Sequence, residues 1–177
     1  MSRLIKSKWN SRAGSCSVKE YKKYIAELIE DETVRSMDHF KHHGRTSCLL
    51  HSLNVSFYSY LICRTLGLNY IAAARGGLLH DLFLYDWHCT KTEKGLHGFT
   101  HPHVALKNAL SLFPLNELEK DIIVKHMWPL TYKMPRYRES LIVAMVDKYC
   151  ACVESLGLSI PPGTYRRIIG TMDKTER

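Results

Sequence analysis

No apolar run in this 177-residue chain approaches the roughly 20 residues needed to span a bilayer. The opening stretch from Met1 to Asn10 has no continuous apolar segment of the kind that directs secretion. The expectation is a cytoplasmic protein with no membrane partner. Cysteine occurs six times (Cys16, Cys48, Cys63, Cys89, Cys150, Cys152), yet only the last two sit close together, and they lack the two-residue gap of a zinc or redox pair. Reduced packing thiols are what remain. There is no strand pattern, no internal repeat and no low-complexity segment. Basic residues are plentiful but scattered, without the interleaved aromatics of a single-strand platform or a DNA-binding motif, which argues against nucleic acid as the partner.

What is present fits an ordinary globular domain: 45% of residues are hydrophobic and 24% charged, enough to build one core. The formal net charge of +8 favours acidic partners, phosphorylated small molecules among them. Apolar residues recur at helical spacing almost throughout. A polar, basic arm over residues 1–16 precedes a helix from Ser17, whose spacing to Glu20 suits a capping box, to about Asp31. A short helix holds Val34 and Met37. Thr46 or Ser47 caps a long helix stopped by Gly67, and Asn69 caps the next, from Tyr70 to about Leu82. Residues 85–99 turn polar and read as a surface loop near the site. Thr100 caps a helix with Pro102 in its first turn, running to Pro114, and Leu115 to Met127 makes another. A last long helix spans Arg138 to Leu156, ends at Gly157, and is followed by a short helix after Pro161 and Pro162. The fold class expected is an all-α, single-domain helical bundle of about six to eight helices over 17–177.

Ten histidines are many for this length. His51 lies among core-like leucines, and His80-Asp81 closes the apolar run Gly-Gly-Leu-Leu-His-Asp-Leu. Asp147 repeats that pattern inside Leu-Ile-Val-Ala-Met-Val-Asp. Burying an unpaired imidazole and carboxylate costs several kcal/mol, so a compensating group is required, and a buried aspartate there asks for a cation. His101 starts one helix and His126 ends another, both beside apolar faces. His103 stands as an alternative to His101. His39, His42, His43, His88 and His97 read as surface groups or supports behind the ligands, and Asp86 as a solvated loop aspartate.

The ordered set His51, His80-Asp81, Asp147 resembles the H…HD…D signature of the HD phosphohydrolase superfamily, over the stretch from Arg45 to Ala151. With His101 and His126 the pattern resembles the two-metal H…HD…H…H…D subset. It is closest to the bacterial HD hydrolases of diadenosine tetraphosphate, through His101-Pro-His-Val-Ala105, Ile-Val-Lys-His126 and Val-Asp147-Lys. The resemblance implies an HD-type bundle and a hydrolase cleaving a phosphoester or phosphoanhydride, in a nucleotide or related small molecule. It further implies one or two divalent transition-metal ions, drawn from iron, manganese, zinc, cobalt and nickel. His51, His80, Asp81 and Asp147 would hold the first ion and His101 and His126 the second. Asp81 would bridge them and hold the catalytic hydroxide.

The chain departs from the pattern where Asp81 is followed by Leu-Phe-Leu-Tyr instead of Gly-Lys, and it has no GYP signature. Arg45, Lys125, Arg136 and Arg138, with Lys148 beside them, are the cations left to meet substrate phosphate. The alternative reading is a catalytically silent HD domain that binds a nucleotide as a regulatory module. A basic RNA adaptor ranks below both. Homodimer formation stays open.

Overall fold

The computed structural model describes residues 13–42, 46–85 and 97–158. The all-α expectation holds. The described residues form α1 (Ala13–Glu30), α2 (Glu32–Ser36), α3 (Cys48–Thr65), α4 (Tyr70–Leu79), α5 (His97–Leu112), α6 (Glu117–Lys125) and α7 (Arg138–Ser155). A single 3-10 turn, Met37–His39, lies between α2 and α3. Among these residues there is no strand, only a lone bridge between Lys41 and Ser47. No helix of the described residues is long and apolar enough to cross a membrane. The expected helix after Pro161 and Pro162, most of the loop before α5, Arg45 and nearly all of the basic arm lie outside the described residues.

Capping chemistry sets most of the boundaries. Ser47 accepts from the Leu50 amide at 3.3 Å and starts α3, while Asn69 accepts from the Ala72 amide at 3.0 Å and starts α4. Asn116 and Glu119 exchange side-chain to backbone bonds of 2.9 and 3.0 Å, a full capping box that starts α6. Gly67, at a φ of +67°, ends α3. Its amide bonds the Arg64 carbonyl and that of Leu68 bonds the Cys63 carbonyl, the Schellman pattern that only a residue tolerant of left-handed backbone closes without strain.

Two helices start earlier than their expected caps. α1 begins at Ala13, four residues before Ser17, so the capping-box spacing there falls inside the helix. α5 begins at His97, and Thr100 is interior, so Pro102 sits in the second turn. The ring then deletes one backbone bond, to the carbonyl four residues back, and the helix continues past it. α4 also stops at Leu79, three residues short of the expected end, which leaves His80 as its C-cap.

The antiparallel pair α3 and α4 forms the centre, with α7 against both, α6 against α4 and α7, α5 against α6, and α1 across α4. Tyr21, Ile25, Leu28 and Ile29 of α1 are buried against Leu53, Phe57 and Tyr60 of α3 and Leu78 and Leu79 of α4. Each such side chain removed from water is worth about 1.5–3 kcal/mol. A smaller cluster (Val55, Ala73, Ile122, Val143, Val146) joins α3, α4, α6 and α7. Gly77 lets α4 approach α3 closely, because a β-carbon there would lie 3.0 Å from Ser56 Cα. That approach brings the end of α4, and with it His80-Asp81, beside His51 on α3. The chain leaving Asp81 is tied to α5 by Asn108, which donates to the Leu82 carbonyl at 2.8 Å.

Candidate metal centre

His51, His80, Asp81, His101, His126 and Asp147 are all buried and converge on one point. They arrive from α3, the C-terminus of α4, α5, the C-terminus of α6, and α7. His103, the alternative to His101, faces solvent.

Asp81 lies at the middle, and its two oxygens face different imidazoles. Oδ2 is 3.2 Å from His80 Nε2 and 3.0 Å from His42 Nε2. Oδ1 is 3.3 Å from His101 Nε2 and 3.5 Å from His126 Nε2. Asp147 Oδ1 lies 3.0 Å from His51 Nε2 and 3.6 Å from His80 Nε2. Groups of three such donors, for example Asp81 with His101 and His126, have all their ligand atoms within 4.8 Å of one another.

The outer nitrogens of three rings are committed, and this decides which tautomer faces inward. His80 Nδ1 sits 2.8 Å from the Gly77 carbonyl, and His126 Nδ1 sits 2.8 Å from the Ile123 carbonyl. Both carbonyls belong to the last turn of a helix, where no backbone amide is left to satisfy them. A carbonyl only accepts, so each Nδ1 carries the hydrogen and, in the neutral ring, each Nε2 presents a lone pair. His51 follows the same logic with a carboxylate: Nδ1 donates to Glu154 Oε2 at 2.7 Å, and Glu154 is held in turn by Asn54 Nδ2 at 3.2 Å. This outer carboxylate behind a histidine is the arrangement that orients metal-binding imidazoles and raises their basicity.

Lone pairs aimed at carboxylates repel unless a proton or a cation lies between them. In the metal-free protein, protons serve. Burial alone would lower the His51 pKa, but hydrogen bonds and charge from Asp147 and Glu154 overcome it and push it up to about 9. Burial is likewise outweighed at His80 by Asp81 and Asp147, raising its pKa to about 10. Burial would raise Asp81 and Asp147, yet the surrounding imidazoles hold both well below the usual carboxylate range. His126 goes the other way: burial first, then the neighbouring His80 and His101, lower it to about 3. It stays neutral and accepts from His101, whose Nε2 lies 2.7 Å from its own.

The residues present fit a divalent cation. His80 Nε2 and Asp81 Oδ1 are buried atoms with no hydrogen bond, although both lie within 3.5 Å of opposite partners: distance is met and alignment is not. Such atoms cost about 1–3 kcal/mol each unless something else engages them. Imidazoles with carboxylates suit iron, manganese, zinc, cobalt or nickel better than calcium. Cys48, also close, is no thiolate: burial raises its pKa well above normal, and its Sγ donates to the Asp81 carbonyl at 3.4 Å.

Two contributors are not singled out in the sequence: His42 reads only among the surface or supporting histidines, and Glu154 carries no expected role. His42 is buried against the His51 ring with centroids 4.4 Å apart, and burial lowers its pKa. It reaches Asp81 because the turn closes on itself, through the Cys48 amide to the Phe40 carbonyl at 2.8 Å and the His42 amide to the Thr46 carbonyl at 2.9 Å. Glu154 lies seven residues beyond Asp147, two turns along the same face of α7, and that spacing is the signal that would have found it.

Of the expected phosphate-facing cations, Lys125 is paired with Asp121 at 2.6 Å, and the Arg136 backbone amide bonds the same carboxylate at 2.9 Å. The Arg136 guanidinium lies over the Tyr137 ring, and Arg138 is exposed at the start of α7. His39 is exposed; His43, His88 and Asp86 lie outside the described residues, as does the side chain of His97. No family model, curated protein or solved structure matches the chain.

Proposed function

We propose that this chain is a metal-dependent phosphohydrolase of the HD type, cleaving a phosphoester or phosphoanhydride in a nucleotide or related small molecule, with one or two divalent ions that the residues around Asp81 would hold. The observation that carries the reading is the division of Asp81: one oxygen faces His80, the other faces His101 and His126. A carboxylate that only accepted hydrogen bonds would not need a buried Oδ1 left without one while two imidazole nitrogens lie within 3.5 Å of it. Divalent ions held there would supply a water of lowered pKa and polarise phosphoryl oxygens.

The chain's own part is to hold, orient and dehydrate. His51, His80 and Asp147 form one side of the centre, and His101 and His126 the other. Glu154, the Gly77 carbonyl and the Ile123 carbonyl keep three rings turned inward. All of these side chains are largely removed from bulk water, where electrostatic interactions are stronger. The net charge of +8 draws anionic substrates towards the molecule.

The test is elemental analysis of protein purified without added metal, alongside Asp81→Ala. About one to two equivalents of transition metal are expected in the wild type and close to none in the variant. A wild type with well under one equivalent, matched by the variant, refutes the reading. Phosphoesters and nucleotides assayed with manganese, iron or cobalt should then give multiple turnovers. Tight nucleotide binding without turnover would assign a regulatory module instead.

A further inference from the structure

Lys148 follows Asp147 on α7, and its side chain turns back into the centre. Nζ donates to the His126 carbonyl at 2.6 Å and lies 3.6 Å from Asp147 Oδ2. Asp147 uses its other oxygen, Oδ1, towards His51 and His80. The ammonium therefore sits on the outer side of the carboxylate, spanning the end of α6 and the body of α7. It also stands at the water boundary: its side chain is 32% exposed, against 9% for Asp147 and 1% for His126.

Four of the other cations are held elsewhere. Lys125 is held by Asp121, Arg75 by Glu119 and Glu27, Arg64 by Glu20 and Lys120 by Glu117. Among the lysine and arginine ion pairs of the described residues, that of Lys148 is the one made with a residue of the centre. An ammonium has three N–H donors. One is used on the His126 carbonyl and a second points to Asp147, so a third is available on the exposed side. A compact point charge at the mouth of a site built for phosphoryl groups is suited to a non-bridging phosphate oxygen.

We propose that Lys148 is the substrate-positioning cation of this site, fixing a phosphate group at the mouth of the centre beside Asp147. This rests on the phosphohydrolase reading. The competing role is structural: the His126 carbonyl is a helix-end acceptor, and Lys148 would then only cap α6. Capping needs a donor but no charge, whereas phosphate binding needs the charge.

Lys148→Gln separates the two, since a glutamine amide still donates to the carbonyl. The probe is inorganic phosphate, titrated calorimetrically into manganese-loaded protein, with manganese content and thermal midpoint measured for each sample. Lys148→Gln is expected to keep its manganese and bind phosphate about 10- to 100-fold more weakly, the loss of one charged hydrogen bond. Lys148→Arg, which restores the charge, is expected to recover part of the affinity. If the glutamine variant retains manganese and binds phosphate like the wild type, the positioning role is refuted while the metal centre stands. The role is equally refuted if the glutamine variant loses its manganese and the arginine variant, still loaded, binds phosphate no better than a loaded Asp121→Asn control weakened at an unrelated cation pair. A wild type that loads manganese but ignores phosphate overturns both this role and the phosphohydrolase reading, and one that takes up no manganese removes the centre itself.

Discussion

Replacing Glu154 by glutamine removes one negative charge behind His51 while keeping the size of the side chain. In the folded protein Oε2 accepts from His51 Nδ1 at 2.7 Å, so the carboxylate would act on a bound ion across the imidazole ring. With roughly 7 Å from carboxylate to ion and an effective dielectric near 20, one unit charge acting on a divalent ion is worth about 4–5 kcal/mol, or some three orders of magnitude in affinity. A second effect opposes the first. Glu154 also helps hold the His51 pKa near 9, so in the wild type a proton competes with metal at neutral pH. Removing Glu154 weakens that competition as well as the metal site. Around pH 7 relief of the proton competition, at most about 100-fold for a proton held at pKa 9, offsets part of that loss. Well above pH 9 the ring is largely unprotonated in both proteins, and the full loss of about three orders of magnitude emerges. Zinc titration against a chromophoric chelator at pH 7, 8 and 9.5 measures it. An affinity loss that is constant with pH, or that shrinks as pH rises, would refute the placing of Glu154 behind a metal-binding ring.

Four further outcomes follow from the same geometry. His101→Ala should lower metal content by about half, whereas His103→Ala, on the solvent side of the same helix, should leave it unchanged; elemental analysis decides. The metal-free protein should be most stable near pH 6.5 and decline on either side, read by thermal unfolding in chelator. On the alkaline side, the stability from the raised His51 and His80 is complete below 6.5 and is lost as pH rises through about 9 to 10. On the acid side, His126 stays neutral down to about 3 while the unfolded chain takes up a proton below 6.5, so stability falls with pH there; a flat profile from pH 5 to 10 would contradict both. Gly77→Ala gains up to about 1 kcal/mol of helix propensity but puts a β-carbon 3.0 Å from Ser56 Cα. A net loss of about 1–3 kcal/mol in urea unfolding is expected, together with weaker metal binding, because α4 must move off α3 and carry His80-Asp81 with it.

The six converging residues were legible because polar side chains interrupt apolar runs. A histidine and an aspartate closing Gly-Gly-Leu-Leu cannot be exposed without exposing the leucines too. The all-α class was legible from period and caps, and Ser47, Asn69, Gly67 and Gly157 lie at the boundaries expected of them. Thr100 was misleading since a capping side chain marks where a helix is able to begin, while α5 runs three residues further back through sequence that permits it. His42 was not legible. It stands in a polar stretch with His39 and His43, all with equal local claims, and what selects it is the closure of the chain between Phe40 and Cys48. Nor did charge single out Lys148 from the other cations, because its distinction lies in reaching across to the end of α6.

The carbonyls of Gly77 and Ile123 have a consequence for mutational mapping. Each turns a ring of the centre inward, yet neither is a side chain, so an alanine scan has nothing there to delete. Such a scan would find one outer support, Glu154, and would leave His80 and His126 looking self-sufficient. To disturb them the helix ends themselves have to be rewritten, by lengthening α4 or α6 by one turn so that the carbonyls regain amide partners. By the same token, a histidine placed as the last residue of any well-terminated helix inherits its tautomer from the main chain, a construction that can be moved to another bundle without bringing its neighbours along.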